Sequence, residues 1–195
     1  MIKQPASWEG GRRAIHLGSS VIPLGYWIVG REAAIVFILF MAIAMLGIEA
    51  ARIYTTWGRR IYQRFFGPVT RPTEERQPTG ATYVFIGALI AAILYAPTIA
   101  ILSMLFMSVG DSAAAYIGQH YGRIPIGSKS LEGALACFSA CLLLALPAGL
   151  TLPVAVAGAA TAAITELIRW PFLNDNLAIP IFSGAVMTLL MTPGI

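Results

Sequence analysis

Charge is what this sequence has least of. Only 11% of its 195 residues are Asp, Glu, Lys or Arg, against about a quarter in ordinary soluble domains. Hydrophobic residues make up 57% and the mean hydropathy is +0.75. A soluble domain around one large core is thereby excluded, because too little polar surface would remain to cover it. Cysteine is scarce as well. Cys137 and Cys141 lie four apart in an apolar segment; no further cysteine or paired histidine completes a metal site, so they read as packing residues. Walker A, the protein-kinase motif set, GxSxG and zinc-ligand spacing are all missing, and nothing suggests base readout of nucleic acid. No internal repeat or low-complexity tract is present. The first thirteen residues are polar and the apolar segment after them lacks a small-residue cleavage site, so no cleavable signal peptide is expected.

What the sequence does contain is long apolar runs. A helix needs roughly 20 residues to cross a hydrocarbon layer about 30 Å thick. Residues 14–30 form a short first candidate carrying Gly18, Pro23 and Gly25, and residues 33–54 a second, with Glu49 and Arg52 near its end. Residues 81–110 are uncharged and the helix-like pattern runs on to Tyr121; as one helix this would be about 60 Å long, twice the membrane. The chain must fold back, and Pro97 marks the turn between spans three and four. Residues 133–168 divide likewise between Pro147 and Pro153 into spans five and six, and residues 177–193 make a seventh. The expectation is an all-α polytopic membrane protein, one integral membrane domain over residues 1–195.

Charge placement orients it. With the N-terminus in the cytoplasm, Lys3, Arg12, Arg13, Arg52, Arg59, Arg60, Arg64, Arg71, Arg76, Arg123, Lys129 and Arg169 fall inside and only Arg31 outside. This positive-inside bias puts the C-terminus outside and supports the hairpin at Pro97. Tyr26, Trp27 and Tyr95 fall at the outer boundary, and Trp57, Tyr83, Tyr121 and Trp170 near the inner one, as an aromatic belt requires. In the long polar loop at 55–80, Ile61, Tyr62, Phe65 and Phe66 interleave with Arg59, Arg60 and Arg64, the pattern of a short interfacial helix.

Six of the nine carboxylates, Glu9, Glu49, Asp111, Glu132, Glu166 and Asp175, lie on or near the inner boundary in this topology. A carboxylate near hydrocarbon costs several kcal/mol unless paired, metal-bound or protonated. Glu49 has Arg52 three residues on, a ready helical partner. Asp111 has no lysine or arginine within ten positions, so its partner comes from another segment or is a metal. Asp111, Ala115, Gly118 and Gly122 share one helical face; that stripe is either a tight helix contact or a groove for a ligand, and the carboxylate at its head favours the groove. Asp111 would sit two to three turns inside the boundary near Tyr121, which suits a nucleotide only if span four is broken or hollowed there. Arg12, Arg13 and His16 can face one site; inner-leaflet anchoring explains the arginines well but not the histidine. Arg71 and Glu74 could form a loop ion pair worth little. Glu166 and the Asp175–Asn176 pair add oxygen donors of the kind Mg²⁺ accepts alongside phosphate. Together these residues point to a cytoplasm-facing, Mg²⁺-dependent site for a phosphate compound with a membrane-soluble second substrate.

Five segments in order carry a family resemblance: RRAIH at 12–16, RPTE and TGATY within 71–83, GDSAAAYIGQHYGR at 110–123, KSLEG at 129–133, and Glu166 with DNLAIP at 175–180. From residue 12 to about 185 the chain resembles the CTP-dependent lipid-alcohol kinases, which act on dolichol, polyprenol, phytol or diacylglycerol. The central run is also similar to that of the phosphatidate cytidylyltransferases. Arg13 stands where the family usually has lysine, and the chain is short beside the eukaryotic dolichol kinases. The resemblance implies transfer of the γ-phosphate of CTP to a lipid hydroxyl. It implies that Asp111, with Asp175 or Glu166, holds Mg²⁺, and that Lys129, Arg12 and Arg13 neutralise phosphate. Gly118 and Gly122 would admit the nucleotide, with Glu132 and Gly133 in the same motif run. Asp175, Glu166 or His16 would accept the alcohol proton; Arg71, Glu74 and Asn176 are further candidates. The substrates would be the nucleotide and a lipid alcohol, in contact with membrane lipids. A cytidylyltransferase making a CDP-lipid is the alternative, and a small membrane transporter a more distant one.

Overall fold

The computed structural model describes residues 11, 14–67, 74, 77–168 and 173–191. Lys3, Glu9, Arg12, Arg13, Arg71, Arg76, Arg169 and Trp170 lie outside the described residues. The described chain is almost wholly α-helical. Helical turns from Ala14 lead through Ser19–Ser20 into α1 (Val21–Val29), and α2 (Arg31–Tyr54) follows after Gly30, whose φ of 83° makes the tight reversal. Next come α3 (Thr56–Phe66), α4 (Gly80–Leu94) and α5 (Pro97–Leu105). A π-helical turn over Phe106–Gly110 runs on into α6 (Asp111–Tyr121). A small hairpin, β1 (Pro125–Ile126) and β2 (Lys129–Ser130), leads to α7 (Leu131–Ala145), then α8 (Leu152–Leu167) and α9 (Asp175–Met191).

The two reversals expected from proline are present. α4 ends at Leu94 and Pro97 opens α5 at the N-terminal position where its missing N–H costs nothing. After α7, a 3₁₀ turn containing Pro147 and a left-handed Gly149 (φ 76°) reverse the chain before Pro153 in the first turn of α8. Three helical runs, Arg31–Tyr54, Pro97–Tyr121 and Leu131–Ala148, are long and apolar enough to cross a membrane; Ala14–Val29, Gly80–Leu94, Leu152–Leu167 and Asp175–Met191 are apolar but shorter. The hairpin is a departure from the all-helical expectation. Pro125 ↔ Ser130 and Ile126 ↔ Lys129 pair antiparallel across Gly127–Ser128, with Gly127 at φ 61°, because a Gly-Ser tip turns the chain within two residues.

α5 lies near the centre, against α1, α4 and α9, while α9 also packs on α4 and α8, α7 on α6 and α8, and α2 on α4. Small residues permit these approaches: Ala88, Ala91, Ala92, Ala100, Ala155, Ala159 and Ala162 are fully or almost fully buried. Many large apolar side chains point outward, although Phe106, Ile38, Ile99, Met104, Met107 and Met187 fill the core. Val36, Phe37, Phe40 and Ile43 on α2 are each more than half exposed, a surface water would penalise and hydrocarbon accepts. At the other end of α2, Glu49 and Arg52 pair inside the protein, 3% exposed each. Arg52 also donates to the carbonyls of Glu74 (2.8 Å) and Gln77 (2.6 Å), while Glu49 Oε1 accepts from Thr79 N–H (2.7 Å), Thr79 Oγ1 (2.6 Å) and Thr82 Oγ1 (3.0 Å). The helical pair expected from sequence thus becomes the anchor of the whole entrance to α4, with both charges satisfied.

Candidate active site

The site is built around an interrupted helix. Between α5 and α6 the π turn inserts an extra residue's worth of backbone, a distortion common at functional positions, and Asp111 is the first residue after it. The helical run Pro97–Tyr121 continues through this turn, so it is distorted here rather than broken. His16, five residues before α1 begins, reaches this turn: its Nε2 lies 3.0 Å from the Met107 carbonyl oxygen and 3.1 Å from Asp111 Oδ2. Two acceptors around one ring nitrogen require it to carry the proton, so Nδ1 is the basic nitrogen of neutral His16. Ser20 and Ser108 hydroxyls, 2.9 Å apart, make a second link one turn on. The helical turns leading into α1 are thus fastened to the π turn by their polar residues.

Lys129 gathers the other two acids. On the short strand β2, its Nζ lies 2.5 Å from Glu166 Oε1, at the end of α8, and 3.3 Å from Asp175 Oδ2, at the start of α9. Burial pulls the Lys129 pKa down, but the carboxylates of Asp111, Asp175 and Glu166 together outweigh it and hold the ammonium above its usual range. Glu166 is 2% exposed, and its second oxygen, Oε2, is buried without a hydrogen-bond partner among the described residues. Asp175 is positioned by Asn174, which caps α9: its Oδ1 accepts from Asn176 N–H at 3.0 Å and its carbonyl from Leu177 and Ala178. Asn176 in turn donates through Nδ2 to the Gly80 carbonyl at 2.9 Å, which joins α9 to the segment that Glu49 and Arg52 anchor.

The acids do not form a ready-made metal cage: among the described residues, no three His, Cys, Asp or Glu side chains stand together closely enough to hold an ion. The convergence expected on Asp111 is centred instead on Lys129, because its ammonium already lies between Glu166 and Asp175. Oxygen donors with one unpartnered buried oxygen nonetheless suit Mg²⁺, which is typically held by one or two carboxylates with substrate phosphate and water completing its shell.

The glycines require a correction. A Cβ on Gly118 would lie 3.0 Å from Ser130 Oγ, one on Gly133 2.9 Å from the Ala114 carbonyl, and one on Gly122 2.8 Å from Ser130 Oγ and close against the Gly118 carbonyl. The small-residue stripe is filled by α7 and its cap, so the helix contact rather than the groove occupies it, since backbones this close leave no room between them. Glu132 also has a local partner: its carboxylate accepts from Ile124 N–H at 3.2 and 3.3 Å and ties the loop before the hairpin to α7. Glu74 contributes its carbonyl to Arg52. Arg12, Arg13 and Arg71 lie outside the described residues. Sequence reasoning passed over Thr79, Thr82, Ser130 and Asn174. Ser130 and Asn174 could have been found as polar residues immediately before apolar helices; the threonines lie inside TGATY but signal their role only through Glu49.

The chain is 27% identical over 151 residues to CTP-dependent diacylglycerol kinase 1 of Schizosaccharomyces pombe, covering 68% of this chain and 69% of that protein. It is 24% identical over 105 residues to the Saccharomyces cerevisiae protein of the same name, covering 52% and 36%. An uncharacterized protein of Rickettsia prowazekii, RP860, is 22% identical over 184 residues, covering 89% and 90%. The chain is a distant homologue of the CTP-dependent diacylglycerol kinases. No family model and no solved structure matches it.

Proposed function

We propose that this protein transfers the γ-phosphate of CTP to the hydroxyl of a membrane lipid alcohol, giving a lipid monophosphate and CDP. The observation that carries the proposal is the meeting of Lys129, Glu166 and Asp175, within electrostatic reach of Asp111, in a distant homologue of CTP-dependent lipid kinases. Phosphoryl transfer asks chiefly for positioning and charge neutralisation, and this cluster offers both. Mg²⁺, held by Glu166 with Asp111 or Asp175, would supply neutralisation of the phosphate oxygens. Lys129 provides a cation whose ammonium stays protonated through neutral pH, and Arg12 and Arg13 precede His16 closely enough in the chain to add two more. The lipid oxygen forms the new bond to phosphorus as the bond to CDP breaks, and the alcohol proton passes to His16 Nδ1 or to Asp175. Asp111 orients the imidazole through Nε2–H. The glycine stripe acts indirectly, by locking α6 to α7.

The membrane setting also fits. An apolar groove between α7 and α8, lined by Ala134, Phe138, Ala160, Ala163 and Ile164, runs up toward the end of α8 that bears Glu166; it offers a lipid chain a path beside the polar cluster. The same proposal includes seven spans, a cytoplasmic N-terminus and an active site facing the cytoplasm.

The test uses purified protein with Mg²⁺, CTP labelled at either the α or the γ phosphate, a panel of polyprenol, dolichol, phytol and diacylglycerol, and phosphatidate. Label from the γ position is expected in one of the lipid alcohols. Label from the α position in lipid would instead establish cytidylyl transfer, and no label in any lipid would return the transporter to consideration.

A further inference from the structure

The ion pair at the site bears on how a metal could enter it. Lys129 Nζ occupies Glu166 Oε1 at 2.5 Å and Asp175 Oδ2 at 3.3 Å, and these carboxylates belong to the set assigned above to Mg²⁺. An ammonium and a divalent cation repel strongly at such separations in a partly desolvated site. The two cations therefore exclude each other from this carboxylate pair. Lys129 is placed so that it can yield. It stands on a two-residue strand beside a Gly-Ser tip rather than inside a helix, its side chain is 28% exposed, and its long stem can swing. Glu166 cannot follow it: the residue is 2% exposed near the end of α8, with Oε2 buried and unpartnered among the described residues. A group that loses Lys129 there needs another cation.

We propose that Lys129 is a resident counter-ion which keeps Mg²⁺ off Glu166 and Asp175 until a nucleotide phosphate draws the ammonium away. No covalent bond changes in this exchange; one cation leaves the carboxylates for phosphate and another takes its place. The consequence is an order of binding: metal alone binds weakly, and nucleotide brings it in. This inference rests on the kinase assignment above, but its failure is separable from the failure of that assignment.

The experiment measures binding of Mn²⁺ alone by electron paramagnetic resonance to the purified full chain in detergent, without nucleotide. Lys129→Met is expected to bind Mn²⁺ at least tenfold more tightly than the unaltered protein, whereas Lys129→Arg, which keeps the charge, stays as weak as the unaltered protein. If Lys129→Met binds no more tightly while Glu166→Gln abolishes the binding seen in the unaltered protein, the exclusion is overturned and the metal site stands. If no form binds Mn²⁺ with or without CTP, both are overturned. Because Lys129→Met leaves two acids without their cation and can fail to fold, a second measurement uses the unaltered protein. The rate at which an N-hydroxysuccinimide ester acetylates Lys129, read by mass spectrometry without nucleotide, is expected to rise severalfold at Mg²⁺ concentrations high enough to displace the ammonium from the carboxylates, and an unchanged or reduced rate overturns the proposal.

Discussion

Asp111 and Lys129 divide the work at the scale of single residues. Asp111 follows a π turn whose Met107 carbonyl is taken by His16, so its carboxylate and the imidazole are held 3.1 Å apart rather than free in a helix groove. Asp111→Asn preserves size and hydrogen bonding while removing the charge. It is expected to lower phosphoryl transfer about 10²-fold or more, with unchanged insertion and elution in detergent; retained transfer, measured with γ-labelled CTP, would remove Asp111 from the site. Lys129 acts in the opposite sense. Its raised pKa means that the ion pairs with Glu166 and Asp175 stabilise the fold at neutral pH and lose that contribution only as pH climbs through the raised value. Its presence in a motif is legible from sequence; its seat between two acids 37 and 46 residues away is not, because that depends on where α8 ends and α9 begins in space.

Among the elements, the contact of α6 with α7 decides how the site is held. Gly118 and Gly133 bring the two backbones together and Ser130 caps α7 through Gly133 N–H at 3.1 Å. Gly133→Ala would place a Cβ 2.9 Å from the Ala114 carbonyl, a backbone atom that cannot turn aside. The expected cost is about 1–3 kcal/mol, read as a lowered thermal unfolding midpoint in detergent. Gly25→Ala, where a Cβ meets nothing within 4 Å, serves as the control and should be neutral or slightly stabilising. A midpoint for Gly133→Ala equal to that of the control would reopen the space between these helices as a groove. The i, i+4 spacing of the stripe left contact and groove equally possible; only the register of α7 against it distinguishes them.

The described residues form a helical bundle whose core mixes alanines with Phe106, Ile99, Met104, Met107 and Met187, and whose buried charges are Glu49, Arg52 and Glu166. Its proposed orientation can be tested with single cysteines, since native Cys137 and Cys141 are both fully buried and should give little background. A membrane-impermeant maleimide applied from outside intact cells is expected to label Arg31→Cys but not Gln77→Cys or Arg123→Cys. Labelling of Gln77→Cys from outside would invert the topology, and labelling of both Arg31→Cys and Gln77→Cys would break the span count between them.

By itself the sequence determined that the chain is helical and apolar, where it must reverse, and which polar residues are too costly to be idle. Those properties follow from local physics: the length of hydrocarbon to be crossed, the missing N–H of Pro97, and the desolvation of a carboxylate. The tertiary structure decided the partners. It gave Glu166 and Asp175 to Lys129, His16 to Asp111 and Met107, and the glycine stripe to α7, because each pairing joins helices whose relative register no spacing within one segment encodes.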